Sequence, residues 1–215
     1  MRLSLFLTGG GEAPLLLEAA RQAERRGLAA LWLPEQHGAG AGLFPNPAVA
    51  AATVAVVTQR IGVRAGGLAL PLHNPIRVAE EWALVDNLSG GRVGIAFGAA
   101  DGHCEEIETV RRLWRGEAVR VPDGEGRPIE VRILPQPVQR ELPLWLILPE
   151  PDPGRIAAGG GERVTGMVPA FASAEEGLRA LKPWQEIGVE EVACRVHLAD
   201  ALDTLGILEE ILHGG

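Results

Sequence analysis

Two Asn-Pro pairs, Asn46-Pro47 and Asn74-Pro75, each open a helical segment that runs on into an apolar strand. This recurrence constrains the fold more than any other feature of the chain. Asn at a helix cap accepts from free first-turn amides, and Pro at the first helical position loses no hydrogen bond. The stretch LPLHNPIRVAEEWALVDNLSGGRVGIAF (70–97) shows the unit whole. Asn74 caps, and Pro75 begins a helix on which Ile76, Ala79, Ala83, Val85 and Leu88 recur at helical spacing. Arg77 stands one turn from Glu81 as a candidate ion pair. Gly90 or Gly91 supplies a left-handed stop before the strand RVGIAF (92–97).

The same alternation extends both ways. RLSLFL (2–7), LAALWLP (28–34) and IGVRAGGLAL (61–70) read as strands. Pro14 to Arg26 reads as a helix with Leu16, Leu17, Ala20 and Ala23 on one face and Gly27 as its stop. The helix 47–59 is rich in small residues all round. Further on, 104–114 reads as a helix, and AVRVPDGEGRPIEVRIL reads as a hairpin around Asp123-Gly124. LPLWLIL (142–148), RVTGMV (163–168) and EEVACRVHL (190–198) complete the strands, with helices near 153–159, 173–187 and 200–213. Strands this apolar between helices are covered on both faces. The expectation is a shortened α/β TIM-like barrel of seven barrel strands, with a hairpin excursion after the fourth, as one domain over residues 1–215. An open doubly wound sheet ranks second, because no GxGxxG or phosphate loop follows the first strand.

Composition narrows the partners. With 47% apolar residues the chain is no candidate for disorder. A net charge of −8 without a basic face speaks against nucleic acid. No stretch is long and apolar enough for a membrane span, and MRLSLFLTGGGEAP is too briefly apolar for a signal peptide, so a cytoplasmic location is expected. The two cysteines, Cys104 and Cys194, have no metal-ligand spacing and form no disulfide framework.

In a barrel of this kind the site lies at the C-terminal ends of the strands. The polar residues there are Glu35, Gln36 and His37 after the second strand, His73 and Asn74 after the third, Asp101 and His103 after the fourth, and Glu150 and Asp152 after the fifth. Two roles are open to His37: an acid/base group or a loop hydrogen bond. His73, against a helix start, reads first as an anchor for that helix. No three of these residues have metal-ligand spacing, so no metal is expected. Gly66-Gly67 inside a strand asks for a bulge or for a ligand lying close.

The segments LWLPEQH, GLFPNPAVAAA and 70–97, followed by VRRLWRGE and LPQPVQRELPLWL, resemble the bacterial luciferase-like flavin monooxygenase family. Within it they are most similar to the luciferase-like domains of natural-product biosynthesis. The C-terminal part matches only loosely. The resemblance implies a TIM-like barrel that takes reduced FMN from a separate reductase and, with dioxygen, oxygenates a small organic substrate. The deazaflavin F420, used by some relatives, is a less favoured cofactor. On the same ground His37 is the catalytic candidate. Gly66 and Gly67 match a pair joined by a non-proline cis peptide beneath the flavin ring, and Glu35, Leu68, Phe97 and Gly98 are the other candidate cofactor-binding residues. Helices 47–59 and 75–88 match those that pack across a homodimer.

Several departures favour a second reading. AADGHC joins RVGIAF almost directly to the next helix, Ala99 stands where the family has a phosphate-binding arginine, and PEPDP replaces a small hydroxyl-bearing phosphate cradle. Glu150 near a serine position would repel a phosphate. The alternative is a catalytically silent relative: a flavin-storage protein or a non-catalytic partner subunit.

Overall fold

The computed structural model describes residues 1–9, 11–38, 46–98, 104–158 and 162–214, with Cys104 as backbone alone. Seven strands form one sheet: β1 (Arg2–Thr8), β2 (Ala30–Pro34), β3 (Gly62–Leu68), β4 (Val93–Phe97), β7 (Trp145–Leu148), β8 (Arg163–Pro169) and β9 (Glu191–His197). They run in the order β4-β3-β2-β1-β9-β8-β7, every neighbouring pair parallel. The ring closes between its outer strands, where the Ile95 amide donates to the Pro143 carbonyl at 3.0 Å and Ile95 bridges Leu144. Between β4 and β7 lies a separate hairpin of β5 (Val119–Pro122) and β6 (Pro128–Val131). The expected seven-stranded barrel and its hairpin excursion are both present.

Helices α1 (Ala13–Arg25), α2 (Pro47–Val57), α3 (Pro75–Ser89), α4 (Cys104–Trp114), α5 (Pro153–Ala158), α6 (Ala174–Glu186) and α7 (Ala201–His213) alternate with the strands. Both Asn-Pro corners work as expected. Asn46 Oδ1 accepts from the amides of Ala48 and Val49, and Asn74 Oδ1 from that of Ile76. Gly90 ends α3 at φ +68°. Two charged side chains tie the corners together. Glu24 accepts from the amides of Gln59, Arg60 and Ile61. The guanidinium of Arg92 donates to the carbonyls of Ala55, Thr58 and Ile61, holding the end of α2 against the start of β4.

Three local expectations are corrected. The strand expected over 61–70 stops at Leu68, because the backbone bulges between Gly66 and Leu68 and residues 70–72 form a 3₁₀ turn. The α3 stripe buries Val78, Ala79, Trp82, Ala83, Val85 and Asp86 rather than Ile76 and Leu88, since the Trp82 indole and the Asp86 carboxylate set the inward face. Asp86 accepts from the Gln139 amide and side chain, so its burial is compensated. Arg77 pairs with Glu80 at 3.0 Å rather than with Glu81.

The barrel interior has two chemistries. Towards the C-terminal ends, Phe6, Trp32, Ala96 and Ala193 pack together with Ile147 and Met167. Below them Arg64 pairs with Glu191, and Ser4 Oγ donates to the same carboxylate at 2.6 Å. The Arg64 guanidinium lies 3.7 Å from the Trp145 ring centroid and 5.0 Å from that of Trp32. Aromatic faces and one carboxylate thus take the place of water around a buried cation.

Candidate active site

The C-terminal ends of β2 and β3 place three expected residues together. Glu35 follows β2 directly, and its side chain is fully buried. Its Oε2 accepts from the Ala69 amide at 2.8 Å, past the β3 bulge. Its Oε1 lies 2.8 Å from His73 Nε2 and 2.5 Å from His37 Nε2. Burial alone raises the Glu35 carboxyl; the Ala69 amide and the two imidazoles outweigh it and hold the group below the usual carboxylate range. An ionised carboxylate accepts only, so both histidines carry their proton on Nε2. In that tautomer Nδ1 is the acceptor nitrogen of each ring. The His37 side chain is 49% exposed, so its ring is open to solvent on the side away from Glu35. The loop-bonding and acid/base roles of His37 are therefore compatible. His73 bonds Glu35, and Asn74 alone caps α3.

Beside this group the backbone is bare. Gly67 adopts φ +89° at the bulge, and a Cβ there would meet nothing within 4 Å. A Cβ on Gly98 would stand 3.3 Å from the Gly67 carbonyl oxygen, and the Gly98 amide donates to the Leu68 carbonyl at 2.9 Å. Gly66 has a different reason: a Cβ would lie 2.5 Å from the Phe6 ring, which fills the barrel beneath it. The peptide joining Gly66 and Gly67 is trans, against expectation, and Leu134-Pro135 is the cis peptide among the described residues. A left-handed Gly67 makes the bulge without a cis bond. Leu68 is buried in the outer core between the sheet and its helices, and the half-buried Phe97 packs against that same core rather than in the lumen.

The other candidates divide. Gln36 Oε1 accepts from the Gly9 amide, fixing the loop after β1. Asp152 accepts from the Arg155 amide at the start of α5, and Glu150 is exposed. Ala99, Asp101 and His103 lie outside the described residues. Among those described, no group of three or more His, Cys, Asp or Glu side chains is placed to hold a metal. Cys194 is buried, and burial pushes its thiol up to about 12, so it is no nucleophile.

Two mouth residues escaped the sequence reading. On β9, Val192, Cys194 and Val196 pack outward in the main core while Ala193 packs in the lumen. Alternation therefore sends Arg195 and His197 to the lumen side, at the open end. Arg195 is exposed, next in register to Phe6 and Pro169, and no carboxylate pairs with it among the described residues. Counting by twos from Glu191 would have found it.

A closed parallel β/α barrel with an oriented imidazole at the C-terminal mouth defines a TIM-like barrel protein. Residues 6–106, just under half of the chain, match the luciferase-like monooxygenase family model, so the chain is recognisably similar to that family. It is 27% identical over 166 residues to the oxygenase component of flavin-dependent trigonelline monooxygenase from Acinetobacter baylyi, covering 68% of this chain and 46% of that protein. It is 40% identical over 122 residues to limonene 1,2-monooxygenase of Rhodococcus erythropolis, covering 48% of this chain and 31% of that one. The chain thus spans less than half the length of these relatives. An F420-dependent secondary alcohol dehydrogenase solved with an F420-acetone adduct superposes with a TM-score of 0.76 at 14% identity, covering 98% of this chain and 97% of that one. That likeness shows the fold.

Proposed function

We propose that the chain is a flavin-dependent monooxygenase that uses reduced FMN, supplied by a separate reductase, and dioxygen on a small organic substrate. The observation that carries this reading is the Glu35–His37 pair set beside the bare backbone of Gly67 and Gly98. A flat ring fits such a floor, because a side chain at Gly67 would project into the space it needs. The bound flavin supplies the redox chemistry and the activation of dioxygen. The protein's own residues do the rest. Gly67 and Gly98 let the ring approach the backbone. Glu35 fixes the His37 tautomer, and His37 Nδ1 accepts or returns a proton at the reacting face. The interior below is closed by Phe6 and Trp32, which keep water from that side.

Arg195 offers one cation at the mouth for the phosphate of the cofactor. Two strand spacings separate β9 from β2, about 10 Å, comparable with the span from a flavin ring to its phosphate. The test is the absorbance spectrum of the purified protein with added FMN or F420, followed by FMNH2-dependent oxygen consumption with a substrate panel. Binding of F420 alone, or of neither, overturns the reading.

A second reading, a catalytically silent relative, is favoured by one observation: Glu150 lies exposed at the mouth where a phosphate cradle is expected. Flavin binding without turnover would select it.

We read the chain as a cytoplasmic homodimer through α2 and α3. Val49 and Val56 are each 63% exposed on α2, and Leu84 and Leu88 are exposed on α3, which packs beside it. These side chains form an apolar face that a second copy would cover. Light scattering of the Val56→Asp/Leu88→Asp variant should show half the wild-type mass. A monomeric wild type at micromolar concentration would end this reading. The free thiol of Cys194 suits a reducing compartment, and no described helix is long and apolar enough to cross a membrane.

A further inference from the structure

The opposite end of the barrel holds a cavity of about 520 Å³, lined by Arg2, Trp145, Ile156, Arg163, Val189 and Glu190. Its volume is in the range of small-molecule sites. The cavity lies at the N-terminal ends of β1, β7, β8 and β9, a face that in such barrels normally serves stability. The charges that line the cavity itself are unequal, two guanidiniums to one carboxylate.

Three guanidiniums gather there: Arg2, Arg163 and, just inside, Arg64, whose side chain is 8% exposed. The Glu191 carboxylate is already engaged. Its Oε1 takes Arg64 and Ser4, and its Oε2 stands 3.6 Å from Arg2. Glu190 points to solvent with a side chain 88% exposed, 4.0 Å from Arg2. Arg163 has no carboxylate in ion-pair range among the described residues, and its guanidinium lies 5.7 Å from the Trp145 ring. Burial lowers the proton affinity of Arg64 and Glu191 restores part of it, while Arg2 and Arg163 oppose it as like charges. Positive charge is therefore in surplus at the rim, beside an apolar wall of Trp145, Ile156 and Val189.

We propose that this cavity is a second ligand site, separate from the mouth, for a small organic anion with a flat apolar body. The carboxylate or phosphate of the ligand sits between Arg2 and Arg163, and its body lies against Trp145, Ile156 and Val189. Arginine forks suit either anion. The proposal does not rest on the flavin reading.

Calorimetric titration with benzoate, phenyl phosphate and inorganic phosphate tests it. One of the two aromatic anions should bind at one per chain, and the tighter identifies the headgroup. Inorganic phosphate, lacking the body, should bind at least about tenfold more weakly. Arg163→Ala should weaken the aromatic anion by about tenfold, through loss of a charge-assisted hydrogen bond. Glu190→Gln should tighten it, since a competing carboxylate is removed. Both positions are exposed, so circular dichroism should show both variants folded. The proposal is overturned if neither aromatic anion saturates the protein, if Arg163→Ala binds as well as wild type, or if inorganic phosphate binds as tightly as the tighter aromatic anion.

Discussion

Glu35 and His73 are 38 residues apart in sequence, yet His73 Nε2 meets Glu35 Oε1 at 2.8 Å. The contact joins the end of β2 to the turn after β3, and the same oxygen holds His37. One buried carboxylate therefore orients two imidazoles and anchors the Ala69 amide behind the bulge. The carboxylate serves both the shape of the mouth and the tautomer of the proposed base.

His37→Ala should lower FMNH2-dependent oxygenation by about 100-fold or more, the usual scale for losing a positioned acid/base group. Folding should change by less than about 1 kcal/mol, because the ring is half exposed and Glu35 keeps Ala69 and His73 as donors. Steady-state rates and urea unfolding of the same sample check both. A variant with wild-type turnover would remove His37 from the mechanism.

Glu35 also sets a pH dependence. Its folded pKa is depressed, so the folded state holds fewer protons than the unfolded chain in mild acid. Its contribution to stability is complete above the unfolded value of about 4.3 and fades as pH falls through the folded value. Unfolding curves from neutral pH into acid should therefore fall less steeply for Glu35→Gln than for wild type. Equal slopes would mean that the Glu35 carboxylate is not held in its ionised form by these donors.

Much of this architecture was legible because local rules and tertiary packing agree. The Asn-Pro caps, the Gly90 stop and the strand-helix alternation each satisfy a nearby backbone need, and each lies where expected. What the sequence hid depends on partners distant in the chain. The Gly66-Gly67 pair points to a bulge, but not to a left-handed Gly67 in place of a cis bond, nor to the end of the strand at Leu68, because the apolar pattern runs on to Leu70. The buried face of α3 turns on Gln139 reaching Asp86 from 53 residues away. Arg195 reads as one charge in an apolar strand until the register of β9 beside β1 places it at the mouth.

Arg64 and Glu191 show the same distance effect, 127 residues apart and paired inside the barrel. Glu191→Gln should destabilise by about 3–5 kcal/mol, because it leaves Arg64 buried without its counter-charge. Replacing both, as Arg64→Met with Glu191→Leu, should cost much less, since no charge then needs compensation. Chemical denaturation of the two variants decides between them. If the single and double variants lose the same stability, packing rather than charge compensation governs the lower barrel.

The cofactor's phosphate end is the sharpest test of the proposed mouth. Arg195 brings a cation without an acidic partner among the described residues, and Glu150 brings a carboxylate to the same open end. Their effects on an anion are opposite, so substituting each should move the FMN-to-riboflavin affinity ratio in opposite directions. Arg195→Ala should lower the ratio about fivefold to tenfold, the scale of a partly screened charge contact. Glu150→Ser should raise it by a smaller factor, because an exposed carboxylate repels through water. Riboflavin itself should bind both variants as it binds wild type, since its ring rests on Gly67 and Gly98 and carries no charge to either side chain. Fluorescence titration of both flavins against the three proteins reads these ratios. A ratio unmoved by Arg195→Ala would place the phosphate elsewhere. A riboflavin affinity that falls with the ratio would show that Arg195 supports the ring rather than the anion.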